Sequence, residues 1–237
     1  MVMIDNFIYT SSINAFTITE VNRWGSRGQT TILKEAYGSV SNGLTIHAYN
    51  EVLCVGNDAK LATVKVFPLA KNYNFYSDPN CSLIKDLGHN SRWGYFALYL
   101  DKTGQSFVAR IPFTGGEYQW KKSVRNDTTR IHCERWAGLE YVYLCDDEGI
   151  KIYDQITFDS IRALPLPGVL NVGTDARYMY ALFASKIKIL SPEGNYISEF
   201  PVKPGATDMV VRAGGDIPLK QKGYFYLPPT PAPEPYN

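Results

Sequence analysis

The sequence predicts an all-β protein built from repeated units of short strands. Runs that open with aromatic or β-branched residues recur along the 237-residue chain, and turns rich in glycine, aspartate and asparagine follow them. The chain holds 17 tyrosines, 19 glycines and 14 prolines, a composition typical of many short strands joined by turns. Residues 30–36 are the nearest approach to a helix, but their β-branched start favours a strand.

The clearest unit covers residues 141–158 and has the pattern of strand, tight turn and strand. Its first four residues, Tyr-Val-Tyr-Leu, have the composition of a largely buried strand. The turn Asp-Asp-Glu-Gly follows at 146–149, where Gly149 can adopt a positive φ. Residues 150–154, Ile-Lys-Ile-Tyr-Asp, then alternate apolar and polar, as a strand with one buried face should.

The opening strand of this unit recurs six times at a nearly fixed period. It begins at Phe7, Val52, Tyr95, Tyr141, Tyr178 and Tyr224, with intervals of 45, 43, 46, 37 and 46 residues. A period near 43 residues with three or four short strands predicts a β-propeller of about five blades, because one blade has two apolar faces that only its neighbours can bury. A β-sandwich would show strands every roughly 8–12 residues without this longer period. We expect the six opening strands to lie nearest the propeller axis.

An extended Pro-rich C-terminal tail follows the predicted propeller domain. The domain spans residues 1–227, and the tail, residues 228–237, begins Pro-Pro-Thr-Pro-Ala-Pro-Glu-Pro. Proline removes the N–H donors that a strand ladder needs, so the tail is predicted to be extended and solvated. The sixth opening strand, 224–227, either closes the ring onto the first blade or reaches into a neighbouring molecule. The tail itself is either a disordered end or a docking arm, and the candidate docking residues are Tyr224, Tyr226 and Tyr236.

The residues quoted for 141–154 resemble degenerate β-propeller blades of the NHL or YVTN type. The WD dipeptide is absent from the chain, so the resemblance implies the propeller class without a subfamily. A short, Tyr- and Asn-rich propeller with an extended tail also resembles the propeller modules of bacteriophage tail and nozzle proteins. This second resemblance implies a structural component of the particle, near the tail or portal, with other protein subunits as its partners.

Charge and hydropathy narrow the expected partners and location. A net charge of +1 and a pI near 7.6 give no field that would attract nucleic acid or an anionic membrane. No apolar run approaches the roughly 18 residues of a membrane span. The first seven residues lack the basic and apolar regions of a secretory signal, so we expect cytoplasmic synthesis followed by assembly into a virion. The four cysteines show no CxxC spacing and are expected to be small buried hydrophobes.

Basic, aromatic and histidine side chains recur just before the opening strands. We expect these segments to run over one face of the propeller, from the outermost strand of one blade to the inner strand of the next. Their side chains either pack at blade junctions or form a face that stacks on sugars or binds carboxylates, as a lectin-like propeller would. The candidate ligand or partner residues are His89, Arg92, Trp93, His132, Arg135, Trp136 and Arg177.

The sequence predicts a non-enzymatic protein without a cofactor or a bound metal. The GxSxG, HExxH, P-loop and GxGxxG signatures are absent from the chain. His132, Cys133 and Cys145 have the wrong spacing for a zinc site, and residues 146–149 lack the acidic order of a calcium-binding EF-hand loop. A third class, a hydrolase with carboxylates at the propeller axis, is disfavoured because acidic residues do not recur at the ends of the opening strands.

Overall fold

The structure, a computed structural model, describes most of the middle of the chain. It describes the backbone of residues 2–4, 7–12, 17–22, 27–32, 45–49, 52–57, 60–66, 69–70, 75–77, 79–90, 94–112, 118–136, 139–175, 177–209 and 211. Side chains are described from residue 79 onward, apart from those of 89–90, 134–136 and 139.

These residues form five antiparallel sheets, A to E in chain order. Sheet A contains β1 (Val2–Ile4), β2 (Phe7–Ser12), β3 (Thr17–Asn22) and β4 (Arg27–Ile32). Sheet B contains β5 (Thr45–Tyr49), β6 (Val52–Asn57), β7 (Lys60–Val66), β8 (Leu69–Ala70) and β9 (Phe75–Ser77), and both β8 and β9 pair with β7. Sheet C contains β10 (Cys81–Asn90), β11 (Gly94–Asp101), β12 (Ser106–Ile111) and β13 (Trp120–Ser123).

Sheets D and E repeat the same four-strand order. Sheet D contains β14 (Arg130–Trp136), β15 (Leu139–Asp146), β16 (Gly149–Asp154) and β17 (Ser160–Pro165). Sheet E contains β18 (Asn171–Thr174), β19 (Met179–Leu182), β20 (Lys186–Leu190) and β21 (Tyr196–Pro201). The first strands β1, β5, β10, β14 and β18 lie against one another from sheet to sheet. This arrangement confirms the predicted all-β propeller, and the described residues supply five of its sheets.

The predicted opening strands are the second strands of their sheets. Tyr95 and Tyr141 lie in β11 and β15, and Tyr178 directly precedes β19. Because the first strands of neighbouring sheets contact one another, the opening strands lie one strand farther from the axis than predicted. That part of the sequence prediction was wrong. The sixth opening strand at 224–227, the domain boundary at 227 and the tail at 228–237 lie outside the described residues.

Each central sheet buries one face against the sheet before it and the other against the sheet after it. Between sheets C and D, Phe96 and Leu98 pack with Val142 and Leu144. The alternate residues of β15 face sheet E instead, in a core that includes Tyr143, Cys145, Val172, Met179 and Ala181. This alternation is the two-residue period of a strand, and it gives the predicted strand two buried faces.

The predicted hairpin between β15 and β16 is confirmed in its details. Asp146 Oδ1 accepts hydrogen bonds from the backbone N–H groups of Glu148 and Gly149, both at 3.0 Å. Gly149 has a φ of 140°, and a Cβ atom there would lie 2.1 Å from the carbonyl oxygen of Leu164. Glycine is therefore required at this turn.

The described cysteines behave as predicted. Cys81, Cys133 and Cys145 are buried and contribute to the cores between sheets. Cys54 lies in β6, and its side chain is outside the described part. Within the described ranges, no helix is long and apolar enough to cross a membrane.

Candidate interaction surfaces

The first strands of sheets C and D run side by side in the same direction. Asp86 Oδ2 accepts a hydrogen bond from the backbone N–H of Ile131 at 2.9 Å. Two residues farther along both strands, a Cβ atom on Gly88 would lie 2.8 Å from Cys133 Sγ. The C-terminal ends of β10 and β14 therefore lie at the same end of their sheets. We call this end the hairpin end, since the chain passes there from a first strand to a second strand.

The residues predicted to form a ligand or partner face lie in or beside these hairpins. His89 lies in β10 and pairs with Tyr95. Arg135 and Trp136 end β14, where they pair with Glu140 and Leu139. These segments were predicted to run from the outermost strand of one sheet to the innermost strand of the next, and that prediction was wrong. They include the first strand of the same sheet, which precedes each opening strand.

Two of the predicted face residues, Arg92 and Trp93, fall between β10 and β11 and lie outside the described residues. Arg177 occupies the equivalent hairpin of sheet E, between β18 and β19. Four of the five described face residues therefore share one topological position, the hairpin between first and second strands or its edge; these are His89, Arg135, Trp136 and Arg177. That these residues form a binding face stays a prediction.

His132 is partly buried between sheets D and E. Its Nε2 atom lies 3.1 Å from Thr174 Oγ1, and Thr174 is buried on β18. The imidazole ring also packs against Tyr143, with ring centroids 5.8 Å apart. These contacts give His132 a role in holding two first strands together, so it is less available to a ligand than the exposed Arg177.

Arg177 is exposed on a turn that Asp175 makes rigid. Asp175 Oδ1 accepts hydrogen bonds from the backbone N–H groups of Arg177 and Tyr178, both at 2.7 Å. Its Oδ2 atom accepts a bond from the Tyr180 hydroxyl at 2.7 Å. The Arg177 side chain thus projects from an ordered hairpin at the hairpin end, where it can meet an anionic or polar partner.

The opposite end of sheets C and D carries a network of ion pairs. Arg125 bonds Asp127 and Glu148, each at 2.8 Å, and Lys151 reaches Glu148 at 2.6 Å. The hydrogen bond from Arg125 lowers the pKa of Asp127, and the one from Lys151 lowers the pKa of Glu148. Asp146 also lies 3.6 Å from Arg125, so two cations meet three carboxylates in a network that ties two loops together.

Lys85 is held by oxygen atoms near the same end. Its Nζ atom donates to Ser106 Oγ at 2.8 Å, to the carbonyl of Asn126 at 2.9 Å and to that of Thr128 at 3.1 Å. Burial lowers the pKa of this amine, although Asp127 opposes the change. The amine is fixed between strand β10 and the loop that precedes β14, which makes it a structural cation.

The outermost strands differ in a way that sequence reasoning missed. The outer strand of sheet C, β13, contains Lys121 and Lys122, and charge of this kind protects a sheet edge. The outer strands of sheets D and E instead expose apolar side chains: Ile161 is 45% exposed, Tyr196 60% and Ile197 45%. We call these three residues the D–E rim.

One strand of the D–E rim, β17, contacts the turn that precedes the other, β21. The guanidinium of Arg162 in β17 donates to the carbonyl oxygen of Glu193, in the turn before β21. Leu164 of β17 packs so close to Gly194 that a Cβ atom there would lie 2.4 Å from its side chain. Exposed apolar residues mark protein-binding surfaces where they form a contiguous patch. The sequence gives little indication that Ile161 is exposed. Ile161 is the extra residue of a β-bulge, between Ser160 and Arg162, which pair with Tyr153 and Ile152 of β16.

Reactive chemistry is sparse in the described part. It contains no cluster of three or more His, Cys, Asp or Glu side chains that could hold a metal ion. Burial raises the pKa of the Cys145 thiol, which keeps it protonated and unreactive. Burial also raises the pKa of Asp86 to about 6, and its carboxylate is engaged with the backbone of Ile131.

Comparison with known proteins identifies the fold class. No protein-family model matches the chain, and no curated protein matches it by sequence. The structure is similar to the WD40 domain of Neurospora crassa Pan2, with a TM-score of 0.61 and 10% identity over 83% of this chain and 63% of that one. It is also similar to a protein of unknown function from Bacteroides caccae, with a TM-score of 0.60 and 8% identity over 82% of this chain and 72% of that one.

A third similar structure is PorZ, a bacterial surface component of the type-IX secretion system of Porphyromonas gingivalis. Its TM-score is 0.51, with 11% identity over 78% of this chain and 24% of PorZ. The chain therefore spans less than two thirds of the length of both Pan2's domain and PorZ. At these identities the likeness concerns the fold, and it confirms the resemblance to the β-propeller class.

Proposed function

We propose that this chain is a non-enzymatic protein-interaction module and that it serves as a structural subunit of a bacteriophage particle, near the tail or portal. The coarser part rests on the fold, since propellers are rigid scaffolds that commonly present surfaces to other proteins. The virion assignment rests on the resemblance of a short, Tyr- and Asn-rich propeller with a Pro-rich tail to phage tail and nozzle modules. Its synthesis is then cytoplasmic and is followed by assembly with other subunits.

The observation that carries the proposal is the D–E rim. Ile161, Tyr196 and Ile197 expose between 45% and 60% of their surface on the outer strands of sheets D and E. Tyrosine combines a large apolar ring with a polar tip and is enriched at protein interfaces. A subunit that covers the rim would remove this apolar surface from water, which favours association.

The contacts around the D–E rim make it a firm surface. Arg162 joins β17 to the turn before β21, and Lys186 pairs with Glu199 of β21 at 3.0 Å. The side chains that a partner would meet are therefore held on paired strands. A preorganised surface loses less conformational entropy on binding than a mobile one.

A second candidate function is carbohydrate binding at the hairpin end. The observation that favours it is the shared direction of β10 and β14, which brings His89 and Arg135–Trp136, near the ends of these strands, to one end of their sheets. Arg177 is exposed on the equivalent hairpin of sheet E. Arginine and tryptophan side chains together suit the stacking and hydrogen bonding that sugars require.

Two measurements distinguish these functions. Mass spectrometry and immunogold labelling of purified particles from the source should detect the chain at a constant copy number per particle if it is a virion subunit. Its absence from purified particles would contradict the virion assignment. A glycan array probed with the folded chain tests the alternative, which requires binding that Arg177→Ala weakens. Lys203→Ala, a change to a basic residue away from the hairpin end, is the matched control.

A further inference from the structure

The outer strands of sheets D and E share two features that oppose the addition of a further strand. Among the described residues, β17 and β21 are the last strands of their sheets, and one edge of each is unpaired. The unpaired edge of a strand presents a row of backbone N–H and C=O groups with which a strand of another chain can pair. In β17 and β21 this row is interrupted near both of its ends.

The first feature is a β-bulge at the second residue of each outer strand. In β17, Ile161 is the extra residue between two that pair with β16. In β21, Ile197 occupies the equivalent position between two that pair with β20. A bulge bends and twists the strand and breaks the regular ladder, so an added strand would lose its register there.

The second feature is a proline at the last residue of each outer strand, Pro165 in β17 and Pro201 in β21. The backbone N–H of Val202, which follows Pro201, donates to the carbonyl oxygen of Ser185 at 3.0 Å, so it faces the rest of sheet E. Successive backbone nitrogens of a strand face opposite edges, which places the nitrogen of Pro201 on the unpaired edge.

Pro165 has the same orientation. A Cβ atom on Gly149 of β16 would lie 2.1 Å from the carbonyl oxygen of Leu164 and 2.5 Å from the backbone nitrogen of Leu166. Both groups therefore face β16, and the nitrogen of Pro165 between them faces the unpaired edge. Proline has no N–H, so each outer strand lacks a donor where an added strand would need one.

The exposed charges beside the D–E rim include more carboxylates than cations. Asp159 directly precedes β17, Glu193 lies in the turn before β21, and both residues are exposed. A hydrogen bond from Ser191 lowers the pKa of Glu193, so this carboxylate is charged at neutral pH. Arg162 adds an exposed cation, whose guanidinium donates to the carbonyl oxygen of Glu193. Basic side chains on a partner would complement this surface.

We propose that the partner of the D–E rim is a folded protein whose surface has preformed apolar pockets with basic side chains around them. The side chains of Ile161, Tyr196 and Ile197 enter these pockets, and the interrupted edges keep the partner from pairing as an added strand. The inference rests on the proposed function, which makes the rim a partner surface, and adds the kind of partner. It excludes an extended peptide that pairs along an open sheet edge.

The role of the interrupted edges is tested on the purified chain alone. A flat-edge variant lacks Ile197 and carries Pro201→Thr, so that β21 regains a regular ladder and an outward donor. Its control also lacks Ile197 but carries Pro204→Thr, in the exposed turn after β21. Sedimentation velocity should show the flat-edge variant self-associating at a concentration at least about tenfold lower than the control. Equal self-association of the two folded variants would overturn the proposal.

A milder pair of variants decides the question if the flat-edge variant fails to fold. Pro165→Thr/Pro201→Thr keeps both bulges and restores only the outward donors, so it should self-associate more strongly than Pro167→Thr/Pro204→Thr. No difference between these two would overturn the proposal. The wild type should be monomeric, and a wild-type dimer that Tyr196→Asp dissociates would assign the rim to a second copy and also overturn it.

Incorporation into particles tests the chemistry of the partner. Pro201→Thr leaves the rim side chains in place, so it should enter particles as efficiently as the wild type. Asp159→Lys should lower incorporation by about tenfold, because it repels a basic partner. Asp147→Lys changes an exposed carboxylate at the opposite end of sheet D and should have no effect. Equal incorporation of the two lysine variants would overturn the proposal.

These outcomes separate this inference from the proposed function. Absence of the chain from purified particles contradicts the proposed function, whereas the flat-edge comparison needs no particle. Loss of incorporation in Tyr196→Asp together with a gain in Pro201→Thr would keep the rim as the partner surface. It would show that the partner pairs as a strand, and would overturn the folded partner with apolar pockets.

Discussion

The carboxylate of Asp86 accepts a hydrogen bond from the backbone N–H of Ile131, and this 2.9 Å bond crosses from sheet C to sheet D. Burial raises the pKa of Asp86 to about 6, and the nearby charge of Asp208 adds to the rise. The bond from Ile131 and the positive charge of Arg130 act in the opposite direction. The junction of two sheets therefore contains a group that titrates at mildly acidic pH.

The first prediction concerns the pH dependence of stability. Because the pKa of Asp86 is higher in the folded chain than its ordinary value of 3.8, the folded state binds the proton more tightly. The stability from this proton is complete below the unfolded pKa, is lost as pH rises toward about 6, and stays lost above it. Between pH 4 and pH 7 the wild type should therefore lose about 1–3 kcal/mol of its free energy of unfolding through this group. Asp86→Asn still accepts the bond from Ile131 but does not titrate, so it should not show this loss.

Urea titrations of both proteins across this range measure the effect. Comparison with the variant separates Asp86 from the other carboxyl groups, which titrate in both proteins. Parallel pH profiles for the wild type and Asp86→Asn would show that the bond between the sheets does not carry the predicted dependence.

The second prediction concerns the close approach of two first strands. Gly88→Ala should destabilise the chain by about 1–3 kcal/mol, as overpacking does, because the new Cβ atom would lie 2.8 Å from Cys133 Sγ. Cys133→Ala removes that sulfur and should relieve most of the added loss. A denaturant double-mutant cycle should therefore give a coupling of more than about 0.5 kcal/mol. Additive effects would mean that the strands do not meet at these residues.

The third prediction concerns the core between sheets C and D. Leu144 is 1% exposed, so Leu144→Ala should lower the free energy of unfolding by about 2–5 kcal/mol. Ile197→Ala is the matched control, because Ile197 is 45% exposed and its truncation should change stability by less than about 0.5 kcal/mol. A Leu144→Ala loss as small as that of the control would show that β15 does not lie in the core.

The fourth prediction concerns the Pro-rich tail. Deletion of residues 228–237 should leave the melting temperature nearly unchanged, because the segment has too few apolar groups to contribute a core. Incorporation into the particle should weaken, since Tyr236 on a proline-stiffened backbone is suited to docking. Unfolding of the domain after this deletion would assign the tail to ring closure. Unchanged incorporation would leave the D–E rim and the hairpin end as the partner surfaces.

The repeat and its second strands could be predicted from sequence, but its first strands could not. β11 and β15 are buried on both faces and are therefore rich in aromatic and aliphatic residues. The first strand β10 contains Asp86 to accept a backbone bond and Gly88 to admit Cys133. Residues that contact the next first strand therefore occupy positions in β10 where apolar residues would indicate a strand. The apolar pattern that predicts strands is lost there.

The candidate surfaces were predictable to different degrees. Arginine and tryptophan recur before the opening strands, so the sequence could mark the hairpin end even though the path assigned to it was wrong. The D–E rim has no such signal, since an exposed Ile197 and a buried Ile189 look alike in a strand pattern. Only the packing of whole sheets decides which of them meets solvent.

Competitive incorporation of rim variants into particles tests the proposed role of the D–E rim most directly. Tyr196→Asp and Ile161→Asp place charge on the exposed rim, whereas Tyr118→Asp changes a 41% exposed tyrosine that precedes β13. With the three variants equally folded by circular dichroism, both rim variants should fall at least tenfold below the wild type in purified particles. Tyr118→Asp should match the wild type. Rim variants that enter particles as efficiently as the wild type would contradict a partner subunit on the D–E rim.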